Sequence, residues 1–437
     1  MKAIIAVIFL ACAAALVSLN FSSALKGTDF PDFYCAARIL LDGHAHNLYD
    51  AAFQYRYQAE YAGRVGTLYI HPPYEAALYL SVAWLPLRYA YMLWSFLNLL
   101  LLAFAARVLA RTTLLDWDWQ LLPIFALTFV PLLLCLIQGQ DSIVLLLLVV
   151  LAYANLRRGR NLTSGCWLAL GLFKFQLVLP IAILLLLTRS GIGKQAFASG
   201  FATVMLALMG LSAAISGWSV FTVYPKFLLH LPAQQFAGII PQVMPNFRGM
   251  VFTVFHHNQS WWSVAIVCVL SAVALLCNLD AWKPAELASD QPKIDPRGTF
   301  DLAFSSTVIF ALLVSYHLNP HDLTLLLLPI SLTLYQISTR QSWRISGRVA
   351  VQAFTQWRHP EHSRFSGGPK NLPLNRPAAP VKLHQYRISG WTTLVLLALL
   401  FLPPVHLLPL KANLYPYSLI AIALIVLLAA IALMPRE

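Results

Sequence analysis

The stretch "LALGLFKFQLVLPIAILLLL", Leu168 to Leu187, decides the architecture. It is an apolar run broken by one ionisable residue, Lys174. A helix needs about 20 apolar residues to cross the hydrocarbon core of a bilayer. Runs of this kind recur along most of the 437 residues. The chain is 59% hydrophobic and only 11% charged, with a mean hydropathy of +0.69. Soluble domains carry about 25% charged residues. The sequence therefore reads as an all-α polytopic integral membrane protein, since helices satisfy their own backbone hydrogen bonds in lipid. The apolar runs are continuous rather than alternating, which argues against a transmembrane β-barrel.

Working outward from that run, "MKAIIAVIFLACAAALVSLN" reads as an uncleaved first span with the N-terminus inside, in preference to a signal peptide cut near Ser22 to Ala24. Residues 21–87 then form a first outer loop. Within it, Phe33, Ala36, Ala37, Leu40 and Leu41 fall on one helical face, with Asp32, Cys35, Arg38 and Asp42 off it. That helix is too short to span and is expected to lie in the interface plane. A second short element covers Tyr74 to Trp84. Further spans are expected near 88–109, 120–137, 142–156, 163–174, 175–188, 195–215, 261–280, 300–317, 322–337, 391–408 and 418–434. The short runs on either side of Lys174 read as spans or half-spans, which sets the total at about 10–12 helices. Trp218 to Ser260 and Ser315 to Asp322 read as outer loops.

The formal net charge is +13. In a membrane chain the basic residues collect in cytoplasmic loops and orient the helices. "RRGR" (Arg157 to Arg160), "TRSGIGK" and the terminal "PRE" read as inside, so both termini are expected to be cytoplasmic and nucleic acid is not an expected partner. Residues 338–390 form a basic insert with nine Lys or Arg between Arg340 and Arg387 against Glu361 alone. Its charge suits anionic membrane lipids. The expected organisation is a catalytic core over 1–337, this insert, and a helix pair over 391–437. The six cysteines follow neither a disulfide framework nor a zinc pattern, and His44 with His46 lacks an evident third ligand, so no metal is expected.

Polar groups gather on the outer side: Asp29, Asp32, His71, Gln138, Gln140, Asp141, Lys174, Arg248, His317, His321 and Asp322. Ionisable residues at membrane depth are costly and point to function. Glycosyl transfer from a lipid-linked phosphosugar fits such a set. The acceptor hydroxyl needs a carboxylate base. The phosphate leaving group needs cations or hydrogen-bond donors but no general acid. Each residue has a plainer reading. Asp29 would cap the helix starting near Pro31; Asp32 would sit near that helix's N-terminus at the surface; Asp141 would cap the following helix; Lys174 would reach the headgroups; His321 would cap a helix; and Arg248 would anchor at the interface.

The ordered motifs "DFPDFYCAARILLDG", "YIHPPYEAALYL", "IQGQDSIVLLLL", "LALGLFKFQLVLP", "PNFRGM" and "HLNPHDLTLLLLP" resemble glycosyltransferase family 87. The resemblance covers about residues 1–337 and implies a GT-C-type helical bundle with outer-face interfacial helices. It implies a hexosyltransferase of the cell membrane, similar to the α-1,2-mannosyltransferases that use polyprenyl-phosphate-mannose. Such an enzyme moves the sugar by inverting displacement to a lipid or glycan acceptor on the extracytoplasmic face, and needs no cofactor beyond the lipid-linked donor. By position it places the catalytic base at Asp29 and aligns Lys174 and His321 with family residues. Asp32 stands where the family usually has an apolar residue, which makes it a rival base. Lys174, Arg248, His321, His71 and Gln140 are the expected donor-phosphate or substrate contacts. A transporter or flippase of a lipid-linked glycan, and a GT-C glycan ligase, are the alternatives.

Overall fold

The computed structural model describes residues 23–113, 129–231, 241–255, 261–282, 296–339 and 424–426. The expected first span, residues 120–128 of the span expected near 120–137, the insert beyond Thr339 and the C-terminal helix pair lie outside these residues, apart from a helical fragment at 424–426. The described residues are helical with no strand. Four helices among them are long and apolar enough to cross a membrane: Leu87–Thr113, Asn161–Thr188, Gly191–Ser216 and Trp261–Leu279.

The first loop is a packed helical layer. Helices α1 (Phe30–Leu41), α2 (Ala51–Tyr57) and α3 (Pro73–Ala83) precede the long α4 (Leu87–Thr113). Pro31 sits at the first turn of α1 and Pro73 at that of α3, where the missing N–H costs nothing. The expectation of a one-sided interfacial helix needs correction at α1. Asp32 and Cys35 are buried along with Phe33, Ala36 and Ala37. The cause is tertiary: α3 packs on one side and Tyr57 and the Gln58–Ala62 turn cover another, while Phe33 stacks on Tyr79 at 4.8 Å.

The bundle continues through α5 (Val130–Gln138), α6 (Ser142–Arg157), α7 (Asn161–Leu170), α8 (Phe175–Thr188) and α9 (Gly191–Ser216). The runs on either side of Lys174 are one span: α7 and α8 join through a 3-10 turn at Gly171–Lys174. Crossing of α7 on α9 depends on two glycines. A Cβ at Gly165 would meet the Phe197 carbonyl oxygen at 2.2 Å, and one at Gly200 the Leu162 oxygen at 2.1 Å. Small residues let membrane helices approach backbone to backbone. The expected loop after Trp218 contains α10 (Val220–His230) and α11 (Phe247–Val254), and then α12 (Trp261–Ala281), α13 (Pro296–Val314) and α14 (Leu327–Thr339) follow. The turn before α14 is a 3-10 segment, Pro320–Leu326.

Helix α6 runs between two buried polar networks. Ser142 lies in one and Arg157 in the other, at opposite ends of this 16-residue helix, or roughly 22 Å apart at about 1.5 Å per residue. At the Arg157 end, Asp301 accepts from the Tyr153 hydroxyl at 2.6 Å, Arg157 Nη2 at 3.2 Å and Gln336 Nε2 at 2.9 Å. Arg157 also donates to the Thr112 carbonyl. These bonds tie α4, α6, α13 and α14 together with the buried carboxylate fully partnered, as a dry interior demands.

Candidate active site

Asp29 is half-buried at the start of α1. It makes no side-chain cap bond to the helix. Its backbone N–H donates to Gln138 Oε1 at 2.9 Å, and its Oδ2 accepts from Gln140 Nε2 at 2.7 Å. Oδ1 has no protein partner among the described residues. The "QGQ" turn that supplies both glutamines is itself pinned. The Gly139 carbonyl accepts from Trp94 Nε1 at 2.9 Å and from the Tyr79 hydroxyl at 3.3 Å. Gly139 has φ +66°, and a Cβ there would meet Phe30 at 2.6 Å, so only glycine fits.

Asp32 lies in the same α1 turn but in different surroundings. It is buried, with Arg64 Nη2 at 3.0 Å from Oδ1 and the Thr67 hydroxyl donating to Oδ2. Arg64 Nη2 also donates to the Thr28 carbonyl at 2.7 Å, the residue before Asp29. Burial pushes the Asp32 carboxyl up to about 7 against the pull of Arg64. The expectation of a surface carboxylate at Asp32 is therefore corrected: its neighbours enclose it.

Lys174 is 2% exposed. Its Nζ lies 3.0 Å from Asp141 Oδ1, 2.5 Å from Asp322 Oδ1 and 2.8 Å from Ser142 Oγ. An ammonium has three donors, so a phosphate oxygen reaching it would have to displace one of these acceptors. Ser142 also donates to Asp322 Oδ1 at 2.9 Å, and the Asn319 N–H donates to Oδ2 at 2.9 Å. Asp141 makes no side-chain cap bond to α6, contrary to the capping expectation. It faces Lys174 instead, beside the positive end of the α6 dipole.

His321 is buried next to this group, its Nε2 3.7 Å from Asp322 Oδ1. It lies within electrostatic reach of both Asp29 and Asp141. His71 Nδ1 is 2.9 Å from Glu75 Oε2, and Glu75 lies against the Asp141 carboxyl. Arg248 stands over the Tyr316 ring at 4.0 Å and donates to the Tyr316 carbonyl at 3.0 Å. It lies close enough to His317 to influence it. The structure thus links Asp29 and Gln140 directly, and sets His71, Lys174 and His321 around Asp141 and Asp322. Arg248 sits at the edge beside His317. Asp32 points into its own pairing with Arg64 and Thr67.

Sequence reading missed Glu75, Arg64 and Thr67. It also left Asp141 and Asp322 outside the expected contacts. A lone lysine in an apolar run demands a counter-charge, and that demand was the available signal for both aspartates. Glu75 carried no such signal, because an acid in the first turn of a helix is unremarkable at a surface.

No curated protein and no solved structure matches the chain. The model of glycosyltransferase family 87 matches residues 69–293, which include His71, Gln140, Lys174 and Arg248 and exclude Asp29, Asp32 and His321. The match spans more than half of the sequence. With its apolar spanning helices and a part-open carboxylate beside a buried ionic cluster, the chain belongs to glycosyltransferase family 87 and is a membrane glycosyltransferase.

Proposed function

We propose that the protein transfers a hexose, mannose being our choice, from a polyprenyl-phosphate-linked donor to a lipid or glycan acceptor. The reaction is inverting displacement on the extracytoplasmic face, within a GT-C-type bundle in the cell membrane. The observation that carries this reading is the contrast between Asp29 and Asp32. Asp29 keeps one carboxylate oxygen without a protein partner among the described residues, while Gln140 and Gln138 fix its orientation. Both oxygens of Asp32 are held by Arg64 and Thr67.

Asp29 is then the base that takes the proton of the acceptor hydroxyl as its oxygen attacks the anomeric carbon. The C–O bond to phosphate breaks as the new glycosidic bond forms, and the phosphate leaves with the electron pair. Arg248 and His321 stabilise the charge growing on it. Asp32 acts at one remove, by holding Arg64 on the Thr28 carbonyl and so fixing the peptide that carries Asp29. Lys174 orders Asp141 and Asp322 rather than meeting the phosphate.

The test is sugar transfer by purified protein supplied with a panel of polyprenyl-phosphate sugars and varied acceptors. Asp29→Asn is expected to lower the rate by about 10²–10⁴, the usual contribution of a general base. Asp32→Asn is expected to keep most of it. Loss confined to Asp32→Asn would move the base to that residue. A folded wild-type protein that transfers from no donor, but carries lipid-linked glycan across vesicle membranes, would replace the transferase reading with transport.

A further inference from the structure

The mechanism above leaves one buried acid without a task. Glu75 lies in the first turn of α3 with a side chain that is 0% exposed. It lies beside His71 on one side, Nδ1 to Oε2 at 2.9 Å, and against the Asp141 carboxyl on the other, where both acids bury oxygens that no hydrogen bond satisfies while both are ionised. Two ionised carboxylates are acceptors only, so a hydrogen bond between them requires a proton. Lys174 lies against Asp141 at 3.0 Å and favours the charged form there. The proton therefore belongs to Glu75. An acid that donates to Asp141 still has its second oxygen to accept the Nδ1–H of His71. That bond sets the imidazole tautomer and leaves Nε2 as an acceptor.

His71 is placed to use it. Its side chain is 19% exposed, its ring packs at 5.3 Å from Phe33 and 5.6 Å from Tyr69, and Nε2 has no protein partner among the described residues. We propose that Glu75 is a positioning residue which, as a neutral acid, bridges Asp141 to His71 and holds the imidazole with Nε2 open to accept a hydrogen bond from a sugar hydroxyl. The titratable groups within reach of Glu75 are His71, Asp141, Lys174 and Asp322, together with the hydroxyls of Tyr49, Tyr69, Tyr74, Tyr79 and Tyr224. Burial and the Asp141 charge hold Glu75 well above the ordinary carboxyl range, and burial takes His71 down to about 4. The sugar as ligand rests on the transferase reading; the protonated bridge does not.

Two measurements separate the two. Infrared difference spectra of wild type against Glu75→Gln, at neutral pH, read the bridge without any substrate. The carbonyl stretch of a protonated carboxylic acid is expected in wild type and lost in the variant. Its absence from wild type overturns the bridge. Transfer kinetics read the role. Gln mimics the neutral acid, its amide donating to Asp141 and its carbonyl accepting from His71, so Glu75→Gln is expected to keep KM within about twofold. Glu75→Leu cannot hold the imidazole and is expected to raise KM for the sugar substrate about tenfold, the worth of one lost hydrogen bond. A Gln variant as impaired as the Leu variant, or a folded Leu variant with wild-type KM, overturns the positioning role. A wild type that transfers no sugar sinks the transferase reading and leaves the infrared result standing.

Discussion

Asp29, the residue that precedes α1, and Asp32 in its first turn are three residues apart, a spacing that on a helix normally puts two side chains on the same face. Their different fates come from what reaches each: glutamines from the turn after α5 meet Asp29, whereas Arg64 and Thr67 close over Asp32. A consequence follows for stability. Asp32 moves from an ordinary 3.8 to about 7 in the folded protein. Between those values the folded state holds a proton that the unfolded state has released, so its contribution is full below 3.8 and is lost as pH rises to about 7. Thermal unfolding of detergent-solubilised protein across that window is expected to show a component of stability that falls with rising pH. In Asp32→Asn that component should vanish, because Asn cannot titrate. An unchanged slope in the variant would place the titration elsewhere.

At the scale of elements, the break between α7 and α8 is where sequence and structure meet most closely. The sequence marks an interruption at Lys174, and a 3-10 turn in mid-helix is a common sign of a functional position. The counter-charges come from elsewhere: Asp141 from the start of α6 and Asp322 from the 3-10 turn before α14. Lys174→Met would leave both carboxylates buried without their cation. Breaking a buried pair in this way costs about 3–5 kcal/mol. The variant is expected to unfold at a lower temperature in detergent, and Asp141→Asn or Asp322→Asn added to it should recover part of the loss. A Lys174→Met protein as stable as wild type would mean that the cluster contributes nothing to holding these elements together. The first-loop helix was legible as a helix, but not its burial. Periodicity reports which residues share a face, and α1 is covered on more than one face by segments that follow it in sequence.

Across the whole molecule, the two ends of α6 carry opposite kinds of site. One holds the part-open carboxylate and the Lys174 cluster; the other holds a closed network around Asp301. The proposed orientation puts the first outside the cell and the second, with its adjoining Arg158 and Arg160, inside. Single cysteines test it. Leu41 is 47% exposed at the end of α1 and Arg158 is exposed after α6. Leu41→Cys is expected to react with a membrane-impermeant thiol reagent in intact cells, and Arg158→Cys only after permeabilisation, each scored against the unsubstituted chain. The reverse pattern would turn the protein over and move the reaction to the cytoplasmic face.

The sequence by itself determined the helical membrane class and the positions of the four helices long and apolar enough to cross a membrane among the described residues, because hydrophobic runs of bilayer length are a local property of the chain. It also drew attention to the residues that gather at the site, since ionisable groups are conspicuous in an apolar background. Only the tertiary structure decided which carboxylate is open, which cation is compensated and which acids are buried against one another. Those outcomes depend on partners brought together from distant segments, such as Gln140 on Asp29, Arg64 on Asp32, and Asp322 on Lys174. Charge state and availability follow from burial and pairing, and neither is written in the order of residues along the chain.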